Sequence, residues 1–397
     1  MTLREIADSI GIKSYPDKLD CIYERLQNAD QPACDLALID RLQSEYMFFG
    51  PFYDLVRETA EQVNNDLIRS SWVRTAAYFA YHAEEKVAFT VPVPAPDGTA
   101  MNDLLPLYVI LPQIPVAEAT YREKGFSDEE ICDIFKEFRS GISIVQSQTG
   151  RPGVNKTYYW WFSIFSKAMI FNHMGLQFEL YNLPDMALWL KNKQTKQIVP
   201  LMVKGTFHAS GIQQLGSMGY EDAEGAFTPA FAEDEDNFYG HGVYDNVVSA
   251  SYETYPKSLW ECVGRPCGRC LNIHVPKGAD ISRETLLAAC KDAIAIAAER
   301  YPEYPGICMV LGVSWLLNPT LKQIQGENSR ITQFMECFTK YPNCDPKGLS
   351  MFNFVFGRQY KNYEDLPENT NLQRKLKQLY LGGSCLHTYS GAIYIDK

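Results

Sequence analysis

Residues 270–282 read Cys-Leu-Asn-Ile-His-Val-Pro-Lys-Gly-Ala-Asp-Ile-Ser. Cys270 to Val275 has the make-up of a short buried strand, and Pro276-Lys-Gly-Ala-Asp280 is a turn that ends it. From Ser282 a helix is signalled by Leu286, Leu287, Ala289, Cys290, Ala293, Ile294, Ala297 and Ala298, and it stops at Tyr301-Pro302. A helix N-terminus leaves its first amides unpaired and carries partial positive charge. A glycine-containing turn leading into one can therefore receive a pyrophosphate or a phosphopantetheine. Val275, Lys277, Gly278, Ala279 and Ser282 are the candidate contact residues, against the plainer reading of a strand-to-helix turn that binds nothing.

Two side chains near this unit can act as bases. His274 ends the strand beside the turn, where a neutral imidazole can take a proton from an attacking amine; the competing role is a hydrogen-bonded structural histidine. Glu179, between Phe178 and Leu180, is the second choice, since partial desolvation raises a carboxylate's proton affinity. An exposed strand position would leave it inert. No G-x-S-x-G, Walker A, H-E-x-x-H or G-x-G-x-x-G pattern occurs, so serine hydrolase, P-loop and zincin chemistries have no support.

Outward from this unit the chain changes character. Residues 1–130 read as helical, with apolar residues at three- and four-residue spacing through Leu19, Ile22, Leu26 and through Leu36, Ile39, Leu42, Tyr46. Ser127-Asp-Glu-Glu130 ahead of Ile131, Ile134, Phe135 and Phe138 is a capping-box-like helix start. Thr149-Gly-Arg-Pro-Gly-Val154 punctuates the chain, which predicts an all-α domain over 1–150 and a second domain over 151–397. In the second, Tyr158 to Phe171 reads as a buried helix, and Gly175 to Tyr181 and Ile198 to Lys204 as strands. Ile307 to Val313, Met351 to Phe356 and Leu386 to Ile395 are further predicted strands. Helices are predicted after Pro319, from Asn328 or Ser329 through Phe338, and from Thr370 to Leu381. The fold class is α+β.

Among 397 residues, 46% are hydrophobic, enough for a sizeable core, and the net charge of −11 disfavours nucleic acid and anionic membrane as partners. Gly205 to Pro256 contains no Lys or Arg and nine acids, leaving −2 for the rest of the chain. Glu221, Asp222, Glu224, Glu233, Asp234, Glu235, Asp236, Asp245 and Glu253 supply that charge. With its Gly, Ser and Ala content the segment (about 205–256) reads as a long irregular insertion, either a lid that attracts a cationic acceptor or a merely solvated loop.

Met1 to Ser14 carries Arg4, Glu5 and Asp8 and lacks the uninterrupted apolar core of a signal peptide, and Tyr158 to Phe171 is shorter than the roughly 20 residues of a membrane span. A cytoplasmic protein is expected, and the 11 cysteines read as reduced thiols. Cys262, Cys267, Cys270 and His274 have a C-x4-C-x2-C-x3-H spacing that can supply four zinc ligands. The preferred reading has no metal, because His274 has the competing role above.

Several motifs occur in order along the chain. Gly175-Leu-Gln-Phe-Glu179 is followed by Trp260, Ile273-His-Val-Pro-Lys-Gly278 and Ser314-Trp-Leu-Leu-Asn-Pro319. Asn328-Ser-Arg-Ile331 with Phe334, and Thr370-Asn-Leu-Gln-Arg374 with Gly382, come next. Together they resemble the bacterial acyltransferase domain-containing proteins that join a helical N-acyltransferase N-terminal domain to a GNAT-like C-terminal domain. Tyr121 to Phe138 also looks like the end of that helical domain, so the resemblance spans nearly the whole chain. It implies an N-acyltransferase that moves an acyl group, acetyl being expected, from an acyl-CoA co-substrate to a small amine or peptide acceptor. The turn Pro276-Lys-Gly-Ala-Asp280 departs from the Gln/Arg-x-x-Gly-x-Gly/Ala of ordinary GNAT enzymes. That departure motivates the rival expectation of a non-catalytic module that binds an acyl-CoA or a peptide.

Overall fold

The computed structural model describes residues 1–27, 31–82, 91–94, 97–212, 214–215, 224–276, 278–343, 348 and 351–396. The chain divides into two compact units, Met1–Asn172 and His173–Lys397.

The first unit is helical. Its longest helix, Asp128–Thr149, starts at a capping box in which the Ser127 hydroxyl accepts from the Glu130 amide and the Glu130 carboxylate accepts from the Ser127 amide. Ile131, Ile134, Phe135, Phe138, Ile142 and Val145 recur at helical spacing and are buried. Phe138 stacks on Phe48 with ring centroids 4.4 Å apart and lies 4.5 Å from Phe162, so aromatic packing holds this helix to its neighbours. The punctuating tract at Thr149–Val154 lies inside this unit and leads into a helix at Lys156–Phe165, capped by Asn155. The helix predicted over Tyr158–Phe171 ends there. Ala168 adopts a left-handed φ of 53°, which breaks it, and strand β1 (Ile170–His173) follows.

The second unit holds two sheets. In the first, β2 (Leu176–Asn182), β10 (Arg269–His274), β11 (Met309–Ser314), β13 (Tyr389–Tyr394) and β12 (Thr339–Pro342) lie side by side in that order. Strands β10 and β11 pair in parallel, joined by the Arg283–Arg300 helix, while β10 with β2, β11 with β13 and β12 with β13 are antiparallel. The second sheet is antiparallel, in the order β5 (Ala232–Glu233), β6 (Asn237–Tyr244), β4 (Ile198–Met202), β3 (Ala187–Asn192), β9 (Trp260–Gly264). Strands β7 (Val247–Val248) and β8 (Glu253–Pro256) also pair with β6. Trp189, Met202, Phe207 and Val243 from the second sheet and its loops meet Cys270, Met309, Leu311, Tyr341 and Ala392 from the first in one core.

Two expectations fail here. The acidic segment, in its described part, is not an irregular insertion: β5, β6, β7 and β8 are built from it. Its glycines serve packing, since a Cβ on Gly242 would sit 2.2 Å from the Tyr255 hydroxyl. Glu221 and Asp222 lie outside the described residues. Met351–Phe356 is no strand either. A short helix at Phe352–Val355 puts Phe352 and Phe356 on one buried side, their rings 5.3 Å apart, while Phe354 stays 79% exposed. Burial at i and i+4 is the period of a helix and not the alternation of a strand. Thr339–Pro342, which the sequence reading did not mark, forms a strand at one edge of the first sheet.

Candidate functional site

Strands β10 and β11 part company at their C-terminal ends. Among the described residues their ladder consists of Leu271↔Val310 and Asn272↔Leu311. Beyond it, β10 stays beside β2 as far as His274↔Gln177, and β11 stays beside β13 as far as Ser314↔Tyr389. Two parallel strands thus open into a wedge in which main-chain groups that alternate towards the gap lack a strand partner.

His274 stands on this wedge. Side chains alternate along a strand, so Cys270, Asn272 and His274 share one face of β10, the face that buries Cys270 against the second sheet. Glu179 is opposite Asn272 in the antiparallel β2, which brings its carboxylate to the same face. His274 Nε2 and Glu179 Oε2 are 2.8 Å apart, with the side chains 24% and 7% exposed. Asn272 Nδ2 donates to the same Glu179 oxygen at 3.2 Å and lies 3.2 Å from His274 Nε2. The two bases chosen from the sequence are therefore hydrogen-bonded partners. Asn272 was missed, although its place two residues before His274 on one strand is a usable signal.

The turn after β10 is built for a tight change of direction. Gly278 takes a φ of +86° with open space where a Cβ would be, a conformation that favours glycine. Ala279 N donates to Pro276 O at 3.1 Å. Ser282 caps the Arg283–Arg300 helix, its hydroxyl accepting from the Thr285 amide. Asp280 sits across this helix start, accepting from the Ser282 amide at 3.0 Å and from the Thr285 hydroxyl at 2.7 Å. The Thr285 hydroxyl first, then the Ser282 amide and hydroxyl, hold the Asp280 carboxyl below its ordinary range, with a smaller pull from Arg330. One donor of the expected anion cradle is thus already occupied by Asp280. The amides of Gly278 and Asp280 have no partner among the described residues. Val275 is half-buried at the strand's end, and Lys277 lies outside the described residues.

The cysteines do not converge. Cys262 is on β9 of the second sheet, Cys270 on β10 of the first, and Cys267 in the turn between them at a φ of 60°. Burial pushes the Cys270 and Cys262 thiols up, which disfavours the thiolate a metal needs. Among the described residues no group of three or more His, Cys, Asp or Glu side chains is placed to hold a metal ion. Nor is any described helix long and apolar enough to cross a membrane.

Residues 174–393 match the family model of the GNAT-like C-terminal domain. The chain belongs to this family. The match therefore takes in the strands from β2 onward, the wedge and the His274–Glu179 pair. No curated protein matches the sequence. Three solved structures share the fold of the GNAT-like domain and of the helical unit ahead of it, each alignment covering 100% of both chains. One is an acyltransferase in complex with decanoyl-CoA, at 15% identity and a TM-score of 0.66. Another is an acyltransferase in complex with decanoyl-CoA and teicoplanin, at 16% and 0.65. The third is an acyltransferase in complex with CoA and 10C-teicoplanin, at 16% and 0.64.

Proposed function

We propose that the protein is an acyl-CoA-dependent N-acyltransferase, with His274 as the base and Glu179 as the group that orients it. The parting of β10 and β11 beside the His274–Glu179 pair carries this reading. An extended amide-bearing chain such as the pantetheine arm of an acyl-CoA suits such a gap, where it can take up the unpaired main-chain groups as an added strand does. Gly278, Ala279 and Ser282, with Val275 and Lys277, are the proposed surroundings of its phosphates, the open amides of Gly278 and Asp280 being the donors. The solved structures in complex with CoA and decanoyl-CoA support the choice of co-substrate.

In the mechanism that follows, Glu179 accepts from Nε2–H and fixes the tautomer, which makes Nδ1 the basic nitrogen of the neutral ring. His274 takes the proton of the attacking amine as its lone pair forms the new bond to the thioester carbonyl. The carbonyl–sulfur bond then breaks, and the leaving thiolate takes the proton that His274 accepted, which returns the ring to its neutral form. The wedge supplies position and main-chain donors for the developing oxyanion. The acceptor is an amine, as a small molecule or part of a peptide. Neighbours bound to teicoplanin add a larger acceptor to those worth testing.

Acyl length is proposed by comparison. Acetyl is the expectation from the resemblance, whereas the neighbours hold decanoyl- and octanoyl-CoA. Calorimetric titration with acetyl-, octanoyl- and decanoyl-CoA tests both points. Saturable binding of at least one is expected, and no binding of any at about millimolar ligand, where association is worth only about 4 kcal/mol, would sink the proposal. The rival module without catalysis is favoured by one observation, the Asp280 carboxylate on the Ser282 amide. It forecasts acyl-CoA binding with no transfer to any amine.

A further inference from the structure

Glu179 and His274 are not directly opposite each other. In the antiparallel pairing of β2 with β10, Glu179 is the partner of Asn272, and His274 is the partner of Gln177. The contact between Oε2 and Nε2 therefore runs diagonally across the ladder, over a longer reach than a direct cross-strand pair. Register brings the two side chains within range. It leaves open which rotamer the glutamate adopts, and only some of them point Oε2 along this diagonal.

Asn272 supplies what the register leaves open. Its Nδ2 donates to Glu179 Oε2 at 3.2 Å, on the same oxygen that lies 2.8 Å from His274 Nε2. Two nitrogen donors from one face of β10 thus converge on a single carboxylate oxygen. The amide has one usable orientation, since turned over it would set Oδ1 against that oxygen, acceptor to acceptor. Its own Oδ1 is buried and has no hydrogen-bond partner among the described residues. A buried acceptor left unpaired costs about 1–3 kcal/mol, which an apolar residue of similar size would not incur. Packing alone gives no reason for an amide here, whereas the donor it directs at Glu179 does.

We propose that Asn272 is a positioning residue of the acyl-transfer site: its amide holds Glu179 Oε2 against His274 Nε2–H and so keeps the imidazole in one tautomer and one orientation. It acts through Glu179 and not on the substrate. The inference rests on the role given to His274 above, but its first test does not need acyl transfer.

The histidine nitrogens of the full chain, isotope-labelled and read by NMR, give that test, with His274 assigned by the signals lost in His274→Ala. In the unaltered protein the neutral ring should carry its proton on Nε2 alone. Asn272→Leu and Asn272→Ala should each replace that single state by a mixture of tautomers. In thiol-release assays both variants should lower kcat by on the order of tenfold and leave KM for the acyl-CoA unchanged. Added to Glu179→Ala, either substitution should lower kcat no further, because the residue it acts through is gone. Nitrogen signals that neither folded variant alters, or a further tenfold loss on top of Glu179→Ala, would overturn the proposal. Absence of amine-dependent release from the unaltered protein would instead sink the acyltransferase reading, and the nitrogen signals would still decide the part played by Asn272.

Discussion

Two buried carboxylates, one in each unit, are held in opposite ways. Glu118 in the helical unit is 4% exposed and meets a full set of donors: Arg41 Nη2 at 3.0 Å, Arg122 Nη1 at 2.5 Å and the Tyr46 hydroxyl at 2.6 Å. Glu179 in the sheet unit is 5% exposed, and a single imidazole and an amide share one of its oxygens. Burial pushes the Glu118 carboxyl up, but Arg41, Tyr46 and Arg122 outweigh it and hold the group below its ordinary range. A carboxylate paired with two guanidinium groups is locked as an anion and ties helices together. One that lies 2.8 Å from a half-buried imidazole, on the strand beside it, holds that ring in place, which is the orienting role proposed above.

Substitutions should separate these roles, beginning with the largest effect. His274→Ala should lower acyl transfer by about 10²–10⁴, the usual span of general-base catalysis, with an unchanged urea unfolding midpoint. An equal loss of stability would return His274 to a structural role. Glu118→Gln should do the reverse, costing roughly 2–3 kcal/mol of stability in urea while transfer per folded molecule holds, because it leaves two arginines short of a partner. The sign with pH follows from the depressed affinity of Glu118 for its proton. Its contribution is complete above the unfolded value of 4.5 and is lost as pH falls through the lower folded value. The Gln variant should flatten that acid limb.

Packing within the sheet unit gives smaller effects. Gly242→Ala should cost about 1–3 kcal/mol, since its methyl group collides with the Tyr255 hydroxyl. Lys340 on β12 is 6% exposed, donates to Met335 O at 3.1 Å, and is pushed down to about 8 by burial. Below pH 8 both folded and unfolded chains hold this proton, and the burial cost is fully felt. Between about 8 and 10.5 the folded form has released it while the unfolded form has not, so stability should rise with pH. Lys340→Met should remove that rise, on the order of 1–2 kcal/mol, in urea melts at pH 7.5 and 10. A slope shared by both proteins would assign it to other groups.

Sequence reading worked best where one local rule acted alone. The capping box at Ser127, the strand and helix flanking Pro276–Asp280, and the Thr370 cap of the Asn371–Leu381 helix all follow from short-range hydrogen bonding and periodicity. It failed where distant neighbours decide. Ala187–Asn192 is buried on both faces along most of its length, so no alternation marks it as a strand. Glycines of the acidic segment look like loop residues until Leu201 and Tyr255 are seen pressing on Gly240 and Gly242. His274 and Glu179 were legible as candidate bases, but not as a pair, because 95 positions separate them and strand register alone brings them together. The carboxylate of Asp280 on the helix start is, by contrast, a short-range contact two residues from Ser282 that the sequence reading passed over.

Release of free CoA thiol, followed with decanoyl- or acetyl-CoA against a panel of amines, tests the central claim most directly. Amine-dependent thiol release is expected from the unaltered protein, with a large loss in both His274→Ala and Glu179→Gln. Acyl-CoA binding without amine-dependent release, or release that both variants retain in full, would contradict it.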